Sequence, residues 1–359
     1  MKFSAIALAL FCVIFFGCAP VEKDNTSYPI GVLLPLNDSN TYASMDVLRG
    51  MELAVEQINS TGGLQGLMLK LLVKDASIGA DRSFEESFDW LRSKGAKVIN
   101  VGFDENVVPR HYRLLKADNV FINYLCQYPP ATLDSENSTR IFINASQEGE
   151  MLSKLVDSVG SGERRIVQMS SDSLYGKACG DYLAFFLKTE NAKFYGDVFS
   201  DGTKDFSVFS DQMKRLYPEY VFYVGRSAEL APFARSVASS GFKGVFASSS
   251  VFNFKKFPLP EGMKFYRIAT KFELGKLSNP TSKKFCADYT AKFGRVPTWL
   301  SAYGYDSIIQ LSKAIEKTRF NPSKMRECFK NTSFDGAIGK VVFDSTADSK
   351  SELELVREN

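Results

Sequence analysis

The chain has 359 residues, of which 24% are charged and 45% hydrophobic, ordinary values for a globular protein. Its formal net charge is +3, and the basic residues occur in scattered pairs, such as Arg164 and Arg165, without an aromatic-interleaved stripe. This pattern argues against a nucleic-acid partner. The length suits two domains of about 150 residues, each able to bury its own core.

The first residues have the features of an export signal. Lys2 carries a positive charge, and residues 3–16 form an almost unbroken apolar run that is short for a bilayer span. The run ends beside Cys18, where small residues before a cysteine resemble the lipobox of bacterial lipoproteins. We therefore expect a signal peptide at 1–17 and a lipidated tether at 18–27. An ordinary secretory signal, with Cys18 incidental, is the alternative.

An acylated Cys18 would attach the mature protein to a lipid membrane, since each buried methylene contributes roughly 0.8 kcal/mol. No later segment of the sequence is apolar enough to cross a bilayer. Residue 19 is alanine, whereas lipoproteins kept at the inner membrane usually carry aspartate there. We expect a periplasmic or extracytoplasmic location, at the outer membrane if the cell has one.

After the tether, apolar strand-like runs alternate with amphipathic helices. The first strand is predicted at 28–34, and the helix after it places Val47, Met51 and Ile58 on one face before it stops at Gly62. Such alternation predicts parallel sheets covered by helices. Further strands are predicted at 69–73, 97–101, 120–123, 165–169, 194–199, 220–224 and 244–247, and further helices at 83–92, 108–117, 146–159, 176–188, 207–215 and 230–240.

The C-terminal part departs from this alternation. Helices are predicted at 282–293, 302–317 and 322–331, followed by strands at 341–344 and 353–356. The four cysteines after Cys18 could pair in an oxidising compartment. Because both lie on predicted C-terminal helices, Cys286 with Cys328 is the favoured pair, and buried free thiols are the alternative for these two and for Cys126 and Cys179.

Catalysis has little support in the sequence. The single histidine, His111, lies between Arg110 and Arg113 in a predicted helix, and we expect it at the surface. The sequence has no metal-binding Cys/His spacing, nucleophile elbow or phosphate-binding glycine loop with its lysine. We therefore expect a protein that is not an enzyme and holds no metal or cofactor.

Two glycines are informative because of their positions in predicted helices. Gly50 falls inside the first long helix, where glycine is unfavourable by up to about 1 kcal/mol, so we expect it to permit a close backbone approach. Gly176 opens a helix whose N-terminus could face a ligand, because unpaired N–H groups and the helix dipole favour anions there.

Six motifs follow one another along the chain in an order that resembles the Leu/Ile/Val-binding-protein family of type I periplasmic binding proteins. The resemblance covers essentially the whole mature chain. The motifs are IGVLLPL at 30–36, RGMELAVEQIN at 49–59 with the two glycines at 62–63, DSLYG at 172–176, DFS at 205–207, AYGYD at 302–306 and FDGAIG at 334–339.

The resemblance implies an α/β fold of two doubly wound, Rossmann-like lobes joined by a three-crossing hinge. Lobe 1 would comprise 28–144 and 272–332. Lobe 2 and the hinge strands would comprise 145–271 and 333–359. Ligands in this architecture lie between the lobes, at the carboxyl ends of the strands.

The resemblance also implies a ligand site, with departures. Amino-acid binders of the family hold the ligand carboxylate with a serine and a threonine, and its ammonium with an acid of lobe 2. Here Asp104 and Glu105 fall at the serine position, Gln127 falls at the threonine position, and serines at 248–250 replace the acid. Arg226 stands where the family has an aromatic residue. A branched-chain amino acid is therefore disfavoured, because its carboxylate would meet the two acids.

The predicted ligand-binding set combines these loop positions with residues that could wall the cleft. For each tyrosine the alternative is core or hinge packing, for Arg226 a solvated surface position, and for Asp104 and Glu105 charges at a helix N-terminus. The set comprises Tyr42, Phe103, Asp104, Tyr124, Gln127, Tyr175, Arg226 and Ser249.

These observations predict a solute-binding lipoprotein of an ABC importer. It would close around a small amino-acid-like or amide-like ligand and then dock on a permease. Two alternatives have no transport role. One is an outer-membrane lipoprotein that acts by protein contact, as activators of penicillin-binding proteins do, and the other is a ligand sensor.

Overall fold

The computed structural model of the chain describes residues 26–38, 40–77, 84–103, 111–116, 119–128, 132, 136–157, 164–187, 192–259 and 261–358. Cys18, Asp104 and Glu105 lie outside the described residues, as do the predicted signal peptide and most of the predicted tether.

The first lobe contains a five-stranded parallel sheet. Its strands are β1 Ser27–Leu34, β2 Met68–Asp75, β3 Val98–Val101, β4 Phe121–Tyr124 and β5 Ser138–Arg140. They lie in the order β2-β1-β3-β4-β5, and every pairing is parallel. Because β1 lies inside the sheet and the chain adds strands on both sides of it, the sheet is doubly wound. The helices that accompany it are α1 Thr41–Ser60, α2 Phe84–Ser93 and α3 Tyr112–Leu115.

The second lobe repeats this arrangement. Its strands are β6 Arg164–Ser171, β7 Ala192–Phe199, β8 Tyr220–Val224, β9 Val245–Ser248, β10 Lys264–Thr270 and β14 Leu353–Arg357. The order is β14-β10-β9-β8-β6-β7, so β7-β6-β8-β9-β10 has the same winding as the first sheet. Only β14 is antiparallel, to β10. The helices are α4 Ala145–Asp157, α5 Leu174–Phe186, α6 Ser207–Leu216 and α7 Ser227–Ser239.

The C-terminal elements return to the first lobe. They are α8 Pro280–Phe293, α9 Trp299–Lys317, a 3-10 helix Pro322–Cys328, and the antiparallel strands β11 Ser333–Gly336, β12 Gly339–Phe343 and β13 Ser349–Ser351. Ile338, Val341 and Phe343 pack in the same core as α1 and β1. The chain therefore passes between the lobes three times: before α4, after β10 and between β13 and β14.

The predicted fold of two doubly wound α/β lobes is confirmed. The residue boundaries of the lobes stay a prediction, to which the structure adds that Ile338 and Val341 join the first core. Strands β5, β10, β11 and β13 were not predicted, and the predicted helix at 322–331 is a shorter 3-10 helix. None of the helices in the described part of the chain has the length and apolarity that crossing a bilayer requires.

The predicted close approach at Gly50 is confirmed. A β-carbon at Gly50 would lie 1.9 Å from the carbonyl oxygen of Ser301, and one at Gly304 would lie 2.1 Å from that of Val47. Helices α1 and α9 therefore pack backbone to backbone, with a glycine of each at the contact.

The last two sequence motifs meet in space. Asp306 of α9 is fully buried, and its carboxylate accepts hydrogen bonds from the backbone N–H groups of Ala337 (2.8 Å) and Ile338 (2.9 Å). A β-carbon at Gly336 would lie 2.2 Å from Asp306 Oδ2, so only glycine leaves room for the carboxylate. The AYGYD and FDGAIG motifs therefore form one structural contact inside the first lobe.

A buried ion pair connects two of the crossings. The guanidinium of Arg140, at the end of β5, donates from Nε to Asp348 Oδ1 at 2.7 Å and from Nη1 to the carbonyl oxygen of Cys126 at 2.7 Å. Asp348 directly precedes β13, and Arg140 has no exposed surface. The pair fixes the edge of the first sheet to the segment that leads into the third crossing.

Two expectations were wrong. The Cys286–Cys328 disulfide is not formed, since Cys126, Cys179, Cys286 and Cys328 are all free thiols. Cys286 lies on α8, which packs on α1 and β11, whereas the 3-10 helix that holds Cys328 packs on α9, β4 and β5. His111 is buried rather than exposed, because its ring stacks on Phe84 with centroids 4.0 Å apart.

Candidate functional site

A cleft of about 690 Å³ lies between the lobes. The first lobe contributes Asn40 and Tyr42, which follow β1, and Gln127, which follows β4. The second lobe contributes Ser171, the last residue of β6, and residues that follow β6, β7, β8 and β9, namely Ser173, Leu174, Tyr175, Asp201, Gly202, Gly225, Arg226, Ser227, Ala228, Glu229, Ser250, Val251 and Phe252. All of these lie at or after the carboxyl ends of strands, where open α/β sheets bind ligands.

The start of α5 forms one wall of the cleft. The hydroxyl oxygen of Ser173 caps the helix by accepting from the N–H of Gly176 at 3.0 Å, and it lies 2.7 Å from the Ser171 hydroxyl. A β-carbon at Gly176 would lie 2.2 Å from the carbonyl oxygen of Ser171, so glycine lets the helix begin directly against β6. This geometry explains the DSLYG motif and brings Tyr175 to the cleft.

Beside the start of α5, side chains that follow β7 and β8 form a charged wall of the cleft. Arg226 Nη2 lies 3.1 Å from Asp201 Oδ2, and both side chains are one-third exposed. Glu229, in the first turn of α7, is 5% exposed, and its Oε1 accepts from the N–H of Gly202 at 2.9 Å. Its other oxygen, Oε2, accepts no hydrogen bond from any described residue. One cation therefore faces two carboxylates on this wall.

Tyr42 brings the first lobe close to this charged wall. Burial raises the pKa of the Tyr42 hydroxyl above its ordinary value, while a hydrogen bond with Ser227 and the charge of Arg226 act in the opposite direction. Both of these neighbours belong to the second lobe. Tyr42 therefore reaches across the mouth of the cleft.

The floor of the cleft contains a buried carboxyl group. Glu148, in the first turn of α4, has no exposed surface. Its Oε2 accepts from Gln127 Nε2 at 2.8 Å, and its Oε1 accepts from the backbone N–H of Ser250 at 2.8 Å. Gln127 Nε2 also lies 3.2 Å from Ser250 Oγ. The three side chains form one array that joins the lobes.

Burial dominates the electrostatics of this floor. It raises the pKa of Glu148 to about 7, although the hydrogen bonds from Ser250, Tyr175 and Gln127 favour the ionised form. Burial and the charge of Glu148 also raise the pKa of Tyr175 and of the Cys179 thiol well above their ordinary values. Tyr175 and Cys179 are therefore neutral near pH 7.

Four of the predicted site residues line the cleft: Tyr42, Gln127, Tyr175 and Arg226. The others that the structure describes lie behind its surface. Phe103 is 2% exposed and contacts the cleft residue Phe252, with ring centroids 5.2 Å apart.

The two remaining predicted residues are also buried. Tyr124 is 2% exposed on β4, within the core that contains Phe88 and Leu91. Ser249 is fully buried, and its N–H donates to the carbonyl oxygen of Tyr223 at 3.0 Å. The assignment of a ligand-binding role to Phe103, Tyr124 and Ser249 stays a prediction.

Sequence reasoning missed Glu148, Asp201, Glu229, Ser250 and Phe252. Ser250 and Phe252 lie within three residues of the predicted Ser249. They could have been found by treating the whole loop after β9 as part of the site. Glu148 and Glu229 had no such signal, since an acid in the first turn of a helix is most simply explained by the helix dipole.

A larger crevice of about 980 Å³ adjoins the cleft and shares Tyr42 with it. It runs between α1, α8 and the start of α9 on one side and Phe254 and Phe272 on the other. Two of its charged groups, Asp46 and Arg49, already pair with each other at 3.1 Å. The smaller cleft is the better candidate site, because there the polar groups of both lobes converge at strand ends.

Comparisons with known proteins agree with this geometry. The sequence profile of the family described as "Periplasmic binding protein" matches residues 27–352. Leu/Ile/Val-binding protein homolog 2 of Brucella abortus (strain 2308) is 23% identical over 95% of this chain and 93% of its own length. The chain spans 59% of homolog 3 of Brucella melitensis, with 24% identity over 60% of this chain.

Solved structures share the fold at low sequence identity. The periplasmic binding protein type 1 of Bordetella pertussis Tohama I has a TM-score of 0.77 at 18% identity, with 92% of this chain and 96% of that chain covered. A solute-binding protein of an R. palustris ABC transporter, in complex with benzoate, has a TM-score of 0.75 at 14% identity, with 93% of each chain covered.

Proposed function

Because the chain belongs to the periplasmic binding protein family, we propose that it is the solute-binding lipoprotein of an ABC importer. It binds a small amino-acid-like or amide-like ligand in the interlobe cleft, closes around it, and delivers it to a permease. Its role is binding rather than catalysis. The observation that carries the proposal is the position of the cleft between two doubly wound lobes, with polar groups from both.

The physics of closure supports this role. A ligand shifts an equilibrium between open and closed forms only if it interacts more favourably with the closed form. Here Tyr42 and Gln127 come from the first lobe, and Tyr175 and Arg226 from the second. A ligand that contacts both pairs stabilises closure. A pocket lined by one lobe alone would not couple ligand binding to closure.

The charges of the cleft support a ligand with both donor and acceptor groups. Arg226 is already paired with Asp201, and Glu229 adds a second carboxylate to the same wall. The two carboxylates would repel a purely anionic ligand. Such a ligand would have to bind through Arg226, whose charge is partly neutralised by Asp201. An amide or a zwitterion can offer donors to Glu229 and acceptors to Arg226.

The proposal includes an extracytoplasmic location and an acyl anchor at Cys18. It is supported by the family, by the apolar run before Cys18 and by the polar residues after it. Radiolabelled palmitate incorporated by the wild-type chain and not by a Cys18→Ser variant would support the anchor. Equal incorporation by both would contradict it.

Native mass spectrometry tests the binding role first. The mature chain without Cys18 is measured before and after partial unfolding, and thermal unfolding is followed with L-leucine, benzoate and benzamide at millimolar concentration. We expect a defined small molecule to be released, or at least one compound to raise the unfolding temperature. If neither occurs, a protein-contact role replaces the transport role.

A matched pair of variants assigns the effect to the cleft. Ala228 lines the cleft and is exposed at the start of α7, so Ala228→Trp fills the cleft without disturbing the core. Arg235 is exposed farther along the same helix, and Arg235→Trp is the control. We expect Ala228→Trp to abolish ligand retention and Arg235→Trp to preserve it.

A further inference from the structure

Glu148 is the one described residue whose side chain hydrogen-bonds cleft-lining residues of both lobes through its two carboxylate oxygens. Gln127 follows β4 of the first sheet, whereas Ser250 follows β9 of the second. Both bonds are 2.8 Å long. The carboxyl group therefore connects two lobes that must move relative to each other if the cleft opens and closes.

The groups that face Glu148 are neutral. Tyr175 and Cys179 approach it from α5, Tyr303 faces it from α9, and Gln127 and Ser250 supply neutral donors. No lysine or arginine of the described chain forms an ion pair with it. Burial without a counter-charge raises the pKa of Glu148 to about 7, so the group can change its charge near neutrality.

Protonation changes what this carboxyl group can bond. The ionised form only accepts, which matches the N–H donors of Gln127 and Ser250. In the protonated form one oxygen carries a hydrogen, which needs an acceptor, such as the hydroxyl of Tyr175 or Ser250 or the oxygen of a rotated Gln127 amide. The protonated oxygen is also a weaker acceptor for the N–H group that it bonds. The bonds that join Gln127 and Ser250 through Glu148 are therefore weakened or rearranged.

We propose that Glu148 is a positioning residue of the cleft, whose ionised carboxylate holds Gln127 of the first lobe against Ser250 of the second, and that uptake of one proton releases this link. The consequence for ligand binding rests on the proposed function, whereas the link itself does not. Binding should weaken as the pH falls through neutrality.

The link is tested without ligand by electron–electron distance measurements between spin labels. Met68 and Val208 are exposed, one in each lobe, and serve as Met68→Cys and Val208→Cys in a chain with Cys286→Ser and Cys328→Ser. We expect one narrow distance distribution at pH 8 and a broader or longer one at pH 6, with a midpoint near 7. Glu148→Gln should give the same distribution at both pH values.

Two further variants keep the test decisive. Gln127→Met removes the first-lobe donor and should give the broad distribution at both pH values. Asp306→Asn alters a second buried carboxyl group, whose hydrogen bonds go to Ala337 and Ile338 within the first lobe, and should keep the wild-type response. An unresponsive wild type overturns the proposal, as does a Glu148→Gln or Gln127→Met chain that responds like wild type.

Ligand binding is measured separately by calorimetry with L-leucine and benzamide, neither of which changes its own charge between pH 6 and 8. For a probe that binds, we expect roughly tenfold weaker affinity at pH 6 than at pH 8 in the wild type, and no difference in Glu148→Gln. A wild-type affinity equal at both pH values overturns the positioning role. If neither probe binds, the proposed ligand class fails, and the spin-label result alone decides on Glu148.

Discussion

Two buried carboxyl groups in this protein have the same chemistry and different partners. Asp306 and Glu148 are both inaccessible to solvent, and burial raises the pKa of each to about 7. Among the described residues, Asp306 accepts from the backbone of residues 337 and 338, within one lobe. Glu148 accepts from a side chain of one lobe and the backbone of the other.

The comparison shows that burial alone does not tell a structural acid from a functional one. Asp306 closes a turn between strands of the first lobe, and its partners stay in place whether the cleft is open or closed. Glu148 bonds groups on both sides of the hinge, so its partners depend on lobe position. The partners, not the pKa, distinguish the two sites.

Removal of the Asp306 carboxylate should have the largest effect on stability. Asp306→Ala leaves the buried N–H groups of Ala337 and Ile338 without their acceptor, and we expect the free energy of unfolding to fall by about 3 kcal/mol. Urea unfolding measures this change. Asp335→Ala, at an exposed neighbour, is the control and should change the value by less than about 0.5 kcal/mol. An Asp306→Ala chain as stable as wild type would show that other acceptors replace the carboxylate.

The shared pKa shift should make stability depend on pH. Both folded-state pKa values lie above those of the unfolded chain, so the stabilisation is present in acid and is lost as the pH rises through about 7. From pH 5.5 to 8 we expect a loss of about 2 kcal/mol for each carboxyl group. Glu148→Gln and Asp306→Asn should each remove the part of this loss of stability that comes from the substituted carboxyl group. Parallel pH profiles for wild type and both variants would contradict the assignment.

Tyr303 lies between Glu148 and Asp306, so its substitution tests whether the two carboxyl groups contribute to stability independently. It belongs to α9, as Asp306 does, and its hydroxyl donates to Ser351 Oγ at 2.6 Å beside the third crossing. We expect Tyr303→Phe to lower the free energy of unfolding by about 1 kcal/mol. Tyr217→Phe, at an exposed position, is the control. A much larger loss would mean that the two buried sites form one cooperative unit.

The smallest effect on stability is expected at Arg226, on the solvent-accessible side of the cleft. Its pair with Asp201 is one-third exposed, so Arg226→Gln should change the free energy of unfolding by no more than about 0.5 kcal/mol. Stabilisation by a bound ligand should nevertheless decrease. Unchanged ligand-induced stabilisation would remove Arg226 from the site and leave the floor around Glu148 as its polar centre.

Much of the fold could be predicted because its signals are local. Apolar runs and helical periodicity located most strands and helices, and Gly50 marked a close backbone approach that the structure confirms. Strand β10 was missed although it lies inside the second sheet, between β14 and β9. The burial of His111 was also missed, because it depends on stacking against Phe84 on another helix.

The sequence by itself determined the alternation of strands and helices through its periodicity, and the order of its motifs, which resembles the family, implied the two lobes and the loops that meet at the cleft. Only the tertiary structure decided which side chains of those loops converge. Glu148 and Ser250 lie 102 positions apart, and Gln127 and Ser250 lie 123 apart. Their burial and hydrogen bonds arise when the two lobes pack together, and no local pattern records that contact.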